Sequence, residues 1–407
     1  MKKFFFFLLL YAGLFLFPCP SGTYALDKPL YALEWDMNLD AVGYELSVFT
    51  ESEGQELPVY HKAQVWQHTV ILNADDFSPA EGALFWKVRP FNLDGDPIGE
   101  WSEAMDWDST AVALEREAPR LRNDYQVESG MTLLYPVYSY TGLPGMASYE
   151  IEVDDDVPEN PDSAEPSVHR IWAGTSPIME RYDEEPRIGT IYWRVRGMDA
   201  DGNPVGVWSE ARKIENVTEG WRFGLFGDSI SHGGGRMSFA PSDAAYSLTY
   251  YLEFPTVNLA QSGDTSRMML ERFDRDVLPF HPEYLLIMGG TNSLRGGEDP
   301  SSVIYDLQEI GNKCRANGIV PIYLTLAPIN PENIRRCFDE DTVADWQARF
   351  AAVNQWIRTQ DHIDTAAPFA GMGLMPTEYA VDGVHGDWRA KVLMGDEINR
   401  HISEFIK

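Results

Sequence analysis

Basic side chains are scarce: 32 Lys and Arg stand against 63 Asp and Glu, a formal charge of −31 over 407 residues. So acidic a surface repels phosphate backbones and anionic headgroups. This argues against nucleic acid as a partner and against electrostatic docking to membranes, and leaves neutral or cationic substrates. Cysteine occurs at only three positions, no Cys/His cluster has the spacing of a zinc site, and HExxH is absent. We expect no metal and no cofactor. No segment beyond the N-terminus is apolar for 18 residues, so no later membrane-spanning helix is expected. The triple glycine at 233–235 is not followed by the lysine of a phosphate-binding loop.

What is present begins with MKKFFFFLLLYAGLFLF, where Lys2 and Lys3 precede an unbroken apolar run from Phe4 to Phe17. Pro18, Pro20 and Gly22 follow, then Thr23-Tyr24-Ala25. A basic start, an apolar core and small residues before a cut describe an export signal over 1–25. A retained membrane anchor is the alternative reading. Cys19 is a poor lipid-attachment site because Pro18 stands directly before it. The mature chain is expected outside the cytoplasm, as a secreted, periplasmic or cell-surface protein. Cys314 and Cys337 then remain, and sequence alone does not decide whether they pair.

The stretch FWKVRPFNLDGDPIGEWSEA at 85–104 recurs as YWRVRGMDADGNPVGVWSEA at 192–211. The pairs Trp86/Trp193, Arg89/Arg196, Gly95/Gly202 and Trp101/Trp208 make two copies of one module. YELSVF at 44–49 and YEIEVD at 149–154 alternate apolar and polar residues, as half-buried strands do. DGDP and DGNP read as hairpin loops whose glycine takes positive φ. Both stretches resemble the late strands of fibronectin type III domains, which implies two β-sandwiches, over 26–110 and 111–217. Their tryptophans are expected in the cores, with a carbohydrate-stacking platform as the alternative.

From Trp221 the texture changes to apolar runs alternating with helical patterns, the signature of a parallel α/β sheet. Strands are expected at 222–226, 256–260, 283–288, 320–327 and near 363–367. Helices are expected at about 242–252, 265–277, 301–317, 341–359 and 388–405. This is a three-layer, flavodoxin-like domain with a five-stranded parallel sheet over 218–407, its site at the carboxyl ends of the strands.

Those strand ends carry Gly227-Asp228-Ser229, Gln261-Ser262-Gly263-Asp264 and Gly289-Gly290-Thr291-Asn292, and Asp382-Gly383-Val384-His385 stands near the end of the chain. A serine nucleophile needs a base within hydrogen-bond reach, which His385 supplies, and an imidazole needs a carboxylate to fix its tautomer, which Asp382 supplies. Charge developing on a carbonyl oxygen needs preorganised donors, offered by the Ser229 and Gly263 amides and the Asn292 carboxamide. The blocks GDSIS, NLAQSGDTS, GGTNS and DGVH, in this order, resemble those of the SGNH hydrolases, the GDSL esterase/lipase superfamily. The resemblance implies Ser229 as nucleophile, His385 as base, Asp382 as its partner, Gly263 and Asn292 in the oxyanion hole, and ester hydrolysis without cofactor.

Ser293 stands where that family more often has aspartate, so altered loop support is expected. Asp228 is expected to accept hydrogen bonds under the serine turn, Asp264 to cap the helix starting near Thr265, and Asn258 to brace the second loop. His232 and the glycines after it are read as shaping the substrate mouth or as a flexible loop. The expected substrate is an ester of a short acyl group such as acetyl, on a glycan or similar polymer, with the β-sandwich modules contacting polysaccharide or a cell surface. A lysophospholipid or lipid esterase, an acyltransferase, and a catalytically silent glycan-binding adhesin are the alternatives.

Overall fold

The computed structural model describes residues 29–78, 81–122, 131–236 and 243–406. The export signal expected over 1–25, with Cys19, lies outside them. Among the described residues no helix is long and apolar enough to cross a membrane.

The N-terminal half is antiparallel. Leu30–Glu34 pairs with Thr69–Asn73 and Val112–Ala113 in one sheet, while Gly43–Ser52 pairs with Gln55–Val65 and Leu84–Phe91 in a second. Leu33 and Leu72 of the first sheet share one core with Leu46, Val48 and Trp86 of the second. The arrangement repeats farther along. Val137–Thr141 and Glu180–Tyr182 belong to one sheet, Ser148–Asp154, Arg170–Ser176, Gly189–Met198 and Arg212–Asn216 to another, and Tyr138, Ile151, Trp193 and Val195 lie in the core they share.

The sequence repeat has a physical counterpart. Arg89 donates to Glu45 across the strand pair and lies 4.8 Å from the Trp101 ring; Arg196 donates to Glu150 and lies 4.4 Å from Trp208. A carboxylate, a guanidinium and an indole in series need those residue types at those registers in both copies, which is why they recur. The two turn glycines, Gly95 and Gly202, have φ of 82° and 80°, as their loops require. Trp86, Trp193 and Trp208 are at most 1% exposed and Trp101 is half-buried, so the repeated indoles are packing residues and three of them present no face to a sugar.

The C-terminal half is α/β. Its parallel strands run in the order His362–Ile363, Val320–Leu324, Tyr284–Met288, Phe223–Gly227, Thr256–Asn258. Their interiors are continuously buried, as parallel strands covered on both faces are. A sixth strand, Met131–Leu133, pairs in parallel with Thr256–Asn258. The sheet therefore has one strand more than the expected five. The extra one is lent from within the second module, across the division expected at 217/218. After Phe223–Gly227 the chain adds a strand on one side and then returns to the other, so the switch point of the sheet lies at Gly227.

Helices Ser266–Asp276, Pro300–Ala316 and Trp346–Ile357 pack in sequence, and Trp388–His401 packs against the turns at 248–251. The helix expected over 242–252 is instead two 3₁₀ turns, Ala244–Tyr246 and Leu248–Tyr251, separated at Ser247, whose backbone is extended and whose Oγ lies 2.8 Å from Thr249 Oγ1. A helix at Pro331–Phe338 was not expected, although Asn330 caps its Glu332 and Asn333 amides and proline occupies its first turn. The helix expected from 341 starts at Trp346. Cys314 is buried and Cys337 half-buried, and both are free thiols.

Trp208→Ala is expected to destabilise its module by about 3–5 kcal/mol, the usual loss for a core indole. Trp101→Ala, at a half-exposed site, is expected to cost about 1 kcal/mol. Calorimetry of the full chain reads both, and equal small shifts would remove Trp208 from the core.

Candidate active site

Strand Phe223–Gly227 must end in glycine. A Cβ at Gly227 would lie 2.2 Å from the Met288 carbonyl oxygen and 2.4 Å from Ser231 Oγ. The chain then turns at Asp228, whose Oδ1 accepts from the Ile230 amide at 3.0 Å and so caps the short helix Ser229–His232. Ser229 is thereby presented at the sheet's switch point.

His385 Nε2 lies 2.9 Å from Ser229 Oγ, and His385 Nδ1 lies 2.8 Å from Asp382 Oδ2. Asp382 Oδ1 accepts from the amides of Val384 and His385 at 2.9 and 2.8 Å. The carboxylate, which can only accept, assigns the proton to Nδ1 and leaves Nε2 to accept from the serine hydroxyl. The loop closes this tightly because Gly383 takes φ of 85° against Asn330, where a Cβ would meet the carbonyl oxygen at 2.3 Å. Burial pushes the Asp382 carboxyl up, but the His385 ring and the two amides outweigh it and hold it below its ordinary value. The sequence-expected Ser229, His385 and Asp382 are thus one hydrogen-bonded chain.

Gly263, with φ of 88°, and Asn292 meet through Asp264, whose carbonyl accepts from Asn292 Nδ2 at 2.9 Å. Arg295 Nε donates to Asn292 Oδ1 at 3.2 Å, which fixes the face of the carboxamide and leaves its second N–H free to donate. Neither the Ser229 amide nor the Gly263 amide gives its hydrogen to a described residue. Among the described residues, no three His, Cys, Asp or Glu side chains are grouped to hold a metal ion.

Residues 225–387 match the model of the GDSL-like lipase/acylhydrolase family. That match makes the C-terminal half similar to GDSL-like hydrolases and supports a carboxylic ester hydrolase. Solved structures similar to the chain include a lipase/acylhydrolase from Enterococcus faecalis (19% identity, 46% of this chain and 98% of that one, TM-score 0.37). A GDSL-like lipase from Bacteroides thetaiotaomicron is 20% identical over 46% of this chain and 89% of its own, with a TM-score of 0.36. A catalytic mutant of an acetylxylan esterase from Geobacillus stearothermophilus is 19% identical over 45% and 94%, with a TM-score of 0.35. No curated protein matches the chain.

Among the supports of this site, Arg272 was not foreseen. Arg272, 5% exposed, donates to the Gly227 and Leu259 carbonyls at 2.9 and 2.7 Å and to Asp264 and Asp276 at 2.5 and 3.0 Å. Asp264 is therefore the partner of Arg272, and Thr265 caps the helix in its place, accepting from the Met268 amide. Asn258 Nδ2 donates to the Ser231 and His232 carbonyls at 2.9 and 3.1 Å while its Oδ1 accepts from Ala260. It ties the serine helix to the second loop. Ser293 Oγ accepts from the Ser266 amide at 3.1 Å, the loop support expected to differ. His232, 1% exposed, does not line a mouth.

The first module reaches the histidine loop. Asp40 accepts from Arg236 at 3.0 Å, Arg389 at 2.8 Å and Trp388 at 3.3 Å, and Arg389 in particular holds its carboxyl down at about 2. Val42 and Phe91 pack on Val381, next to Asp382.

Burial raises the Asp228 carboxyl from its ordinary 3.8 to about 7, with the neighbouring Asp264 adding to it. Folding therefore favours the protonated acid, a contribution present at low pH and lost as pH rises to about 7. Asp228→Asn keeps an acceptor for the Ile230 amide and removes that titration. In urea unfolding the variant is expected to gain on wild type at pH 8 relative to pH 5; an unchanged difference would show that Asp228 is already charged at the lower pH.

Proposed function

We propose that this protein is an exported serine esterase that removes short acyl groups, acetyl foremost, from a glycan or similar hydroxyl-bearing substrate. The observation that carries the chemistry is the chain from Ser229 Oγ through His385 to Asp382, with links of 2.9 and 2.8 Å. His385 Nε2 takes the Ser229 proton as Oγ attacks the ester carbonyl, and Asp382 stabilises the imidazolium that results. The oxyanion forms against the Ser229 amide, the Gly263 amide and the Asn292 carboxamide. On collapse the alcohol leaves with the proton from Nε2, and water, deprotonated by the same nitrogen, frees the acid.

The lowered Asp382 carboxyl supports this division of roles, because the acid stays ionised while the ring carries the proton. Export is supported by the basic start and the apolar run of the N-terminus. The paired antiparallel sheets and the repeated Glu-Arg-Trp series support fibronectin type III-like modules. We assign them to holding the site at its polymer. The net charge of −31 favours a neutral substrate such as a glycan over an anionic lipid surface.

Turnover of p-nitrophenyl esters of increasing acyl length is expected to peak at acetyl. Ser229→Ala should lower kcat by about 10⁴-fold or more, with loss of labelling by an organophosphonate at that residue. Asn292→Ala should cost about 10²–10³ in kcat. A Ser229→Ala variant with wild-type turnover would overturn the nucleophile, and an unchanged kcat in Asn292→Ala would remove Asn292 from the oxyanion hole.

A further inference from the structure

His232 stands three residues after Ser229, on the same short helix, and is buried. Both ring nitrogens are engaged: Nε2 lies 2.8 Å from the Tyr135 carbonyl oxygen and Nδ1 lies 2.8 Å from Ser262 Oγ. A carbonyl only accepts, so Nε2 carries the hydrogen and Nδ1 accepts from the Ser262 hydroxyl. This is one neutral tautomer with no spare capacity. Burial lowers its pKa from 6.5 to about 4, and the Arg272 guanidinium adds to the effect, so the ring holds that tautomer at neutral pH. The edge of the Tyr182 ring covers it, with centroids 5.9 Å apart.

The three anchors belong to different parts of the site. Ser262 immediately precedes Gly263, whose amide faces no described acceptor. Tyr135 follows the lent strand Met131–Leu133, and its hydroxyl donates to Asp276 at 2.5 Å, the carboxylate that also holds Arg272. Tyr182 lies in the strand Glu180–Tyr182 of the second module. One imidazole thus joins the serine helix to the loop of the oxyanion amide, and both to the preceding module.

We propose that His232 is a positioning residue which, through Ser262, sets the place of the Gly263 amide relative to Ser229, and which makes the second module part of the active-site framework. The proposal rests on the esterase reading above. It predicts a loss in kcat rather than in KM, because the Gly263 amide acts on the oxyanion and not on the bound ester.

The test uses the full chain and p-nitrophenyl acetate, with turnover normalised to sites titrated by an organophosphonate. His232→Phe keeps the ring volume and removes both hydrogen bonds; Ser262→Ala removes one. We expect kcat per titrated site to fall about 10–100-fold in His232→Phe and by less in Ser262→Ala, with KM within about twofold of wild type. The double variant should be no slower than His232→Phe, since both substitutions break one linkage. A histidine that merely fills space would lower the titrated fraction and leave kcat per site unchanged; that result, in Ser262→Ala alone if His232→Phe fails to fold, overturns the proposal. A wild type that neither turns over the ester nor takes the label overturns the esterase reading, and this proposal with it.

Discussion

The guanidinium of Arg272 is the constraint on which the site depends. It is largely buried and satisfies, from one rigid plane, the carbonyls at the ends of two adjacent strands and two carboxylates from its own helix and the loop before it. Those carbonyls precede the serine turn and the Gly263 loop, so the relative height of the two loops is referenced to a single planar group. The fork geometry of arginine suits this and a lysine's point charge does not. The buried charge is tolerable because it is paired twice and hydrogen-bonded throughout, and because its plane lies 4.3 Å from the Phe226 ring.

Around this centre several arginines stand where the two halves of the chain meet. Arg236 and Arg389 meet Asp40 of the first module, and Arg336 meets Asp94 in that module's repeated turn. In a chain so acidic, these two carboxylates of the N-terminal half find cationic partners on helices Pro331–Phe338 and Trp388–His401 and at Arg236. The attraction therefore joins the first module to the segments around His385. Val381 lies under that contact, one residue from the carboxylate that orients the histidine.

Much of this was legible in the sequence, for reasons that can be named. Parallel strands buried on both faces read as short apolar runs, and the glycines that end them mark where backbones approach too closely for a side chain, as Gly227 does. Ser229, His385 and Asp382 stood out in the sequence because they come directly after such a run or three residues apart in one turn. Arg272 was not found, since nothing in SRMMLERFDRD sets it apart from Arg267 and Arg275 until the fold turns it inward. His232 was misplaced for the same reason: proximity to a glycine run suggested a mouth, while its buried partner is a carbonyl from nearly a hundred residues upstream. Helix Pro331–Phe338 did announce itself through Asn330 and Pro331, and Ser247 gave too weak a signal to split the expected helix at 242–252. No periodicity is carried by three residues, so Met131–Leu133 had no signature at all.

That lent strand bears on how the chain is made. Met131–Leu133 leaves the ribosome more than a hundred residues before its partner, Thr256–Asn258, exists. Meanwhile the module that encloses it can complete its own sheets, since all of their strands lie before residue 217. The parallel sheet then gains a segment whose downstream neighbour, Val137–Thr141, belongs to the sheets of that module. The long separation costs little loop entropy by that stage, because the intervening chain is no longer free. Vectorial synthesis thus delivers Met131–Leu133 first, and Thr256–Asn258, the second strand of the later-born parallel sheet, finds its neighbour already tethered to the module before it.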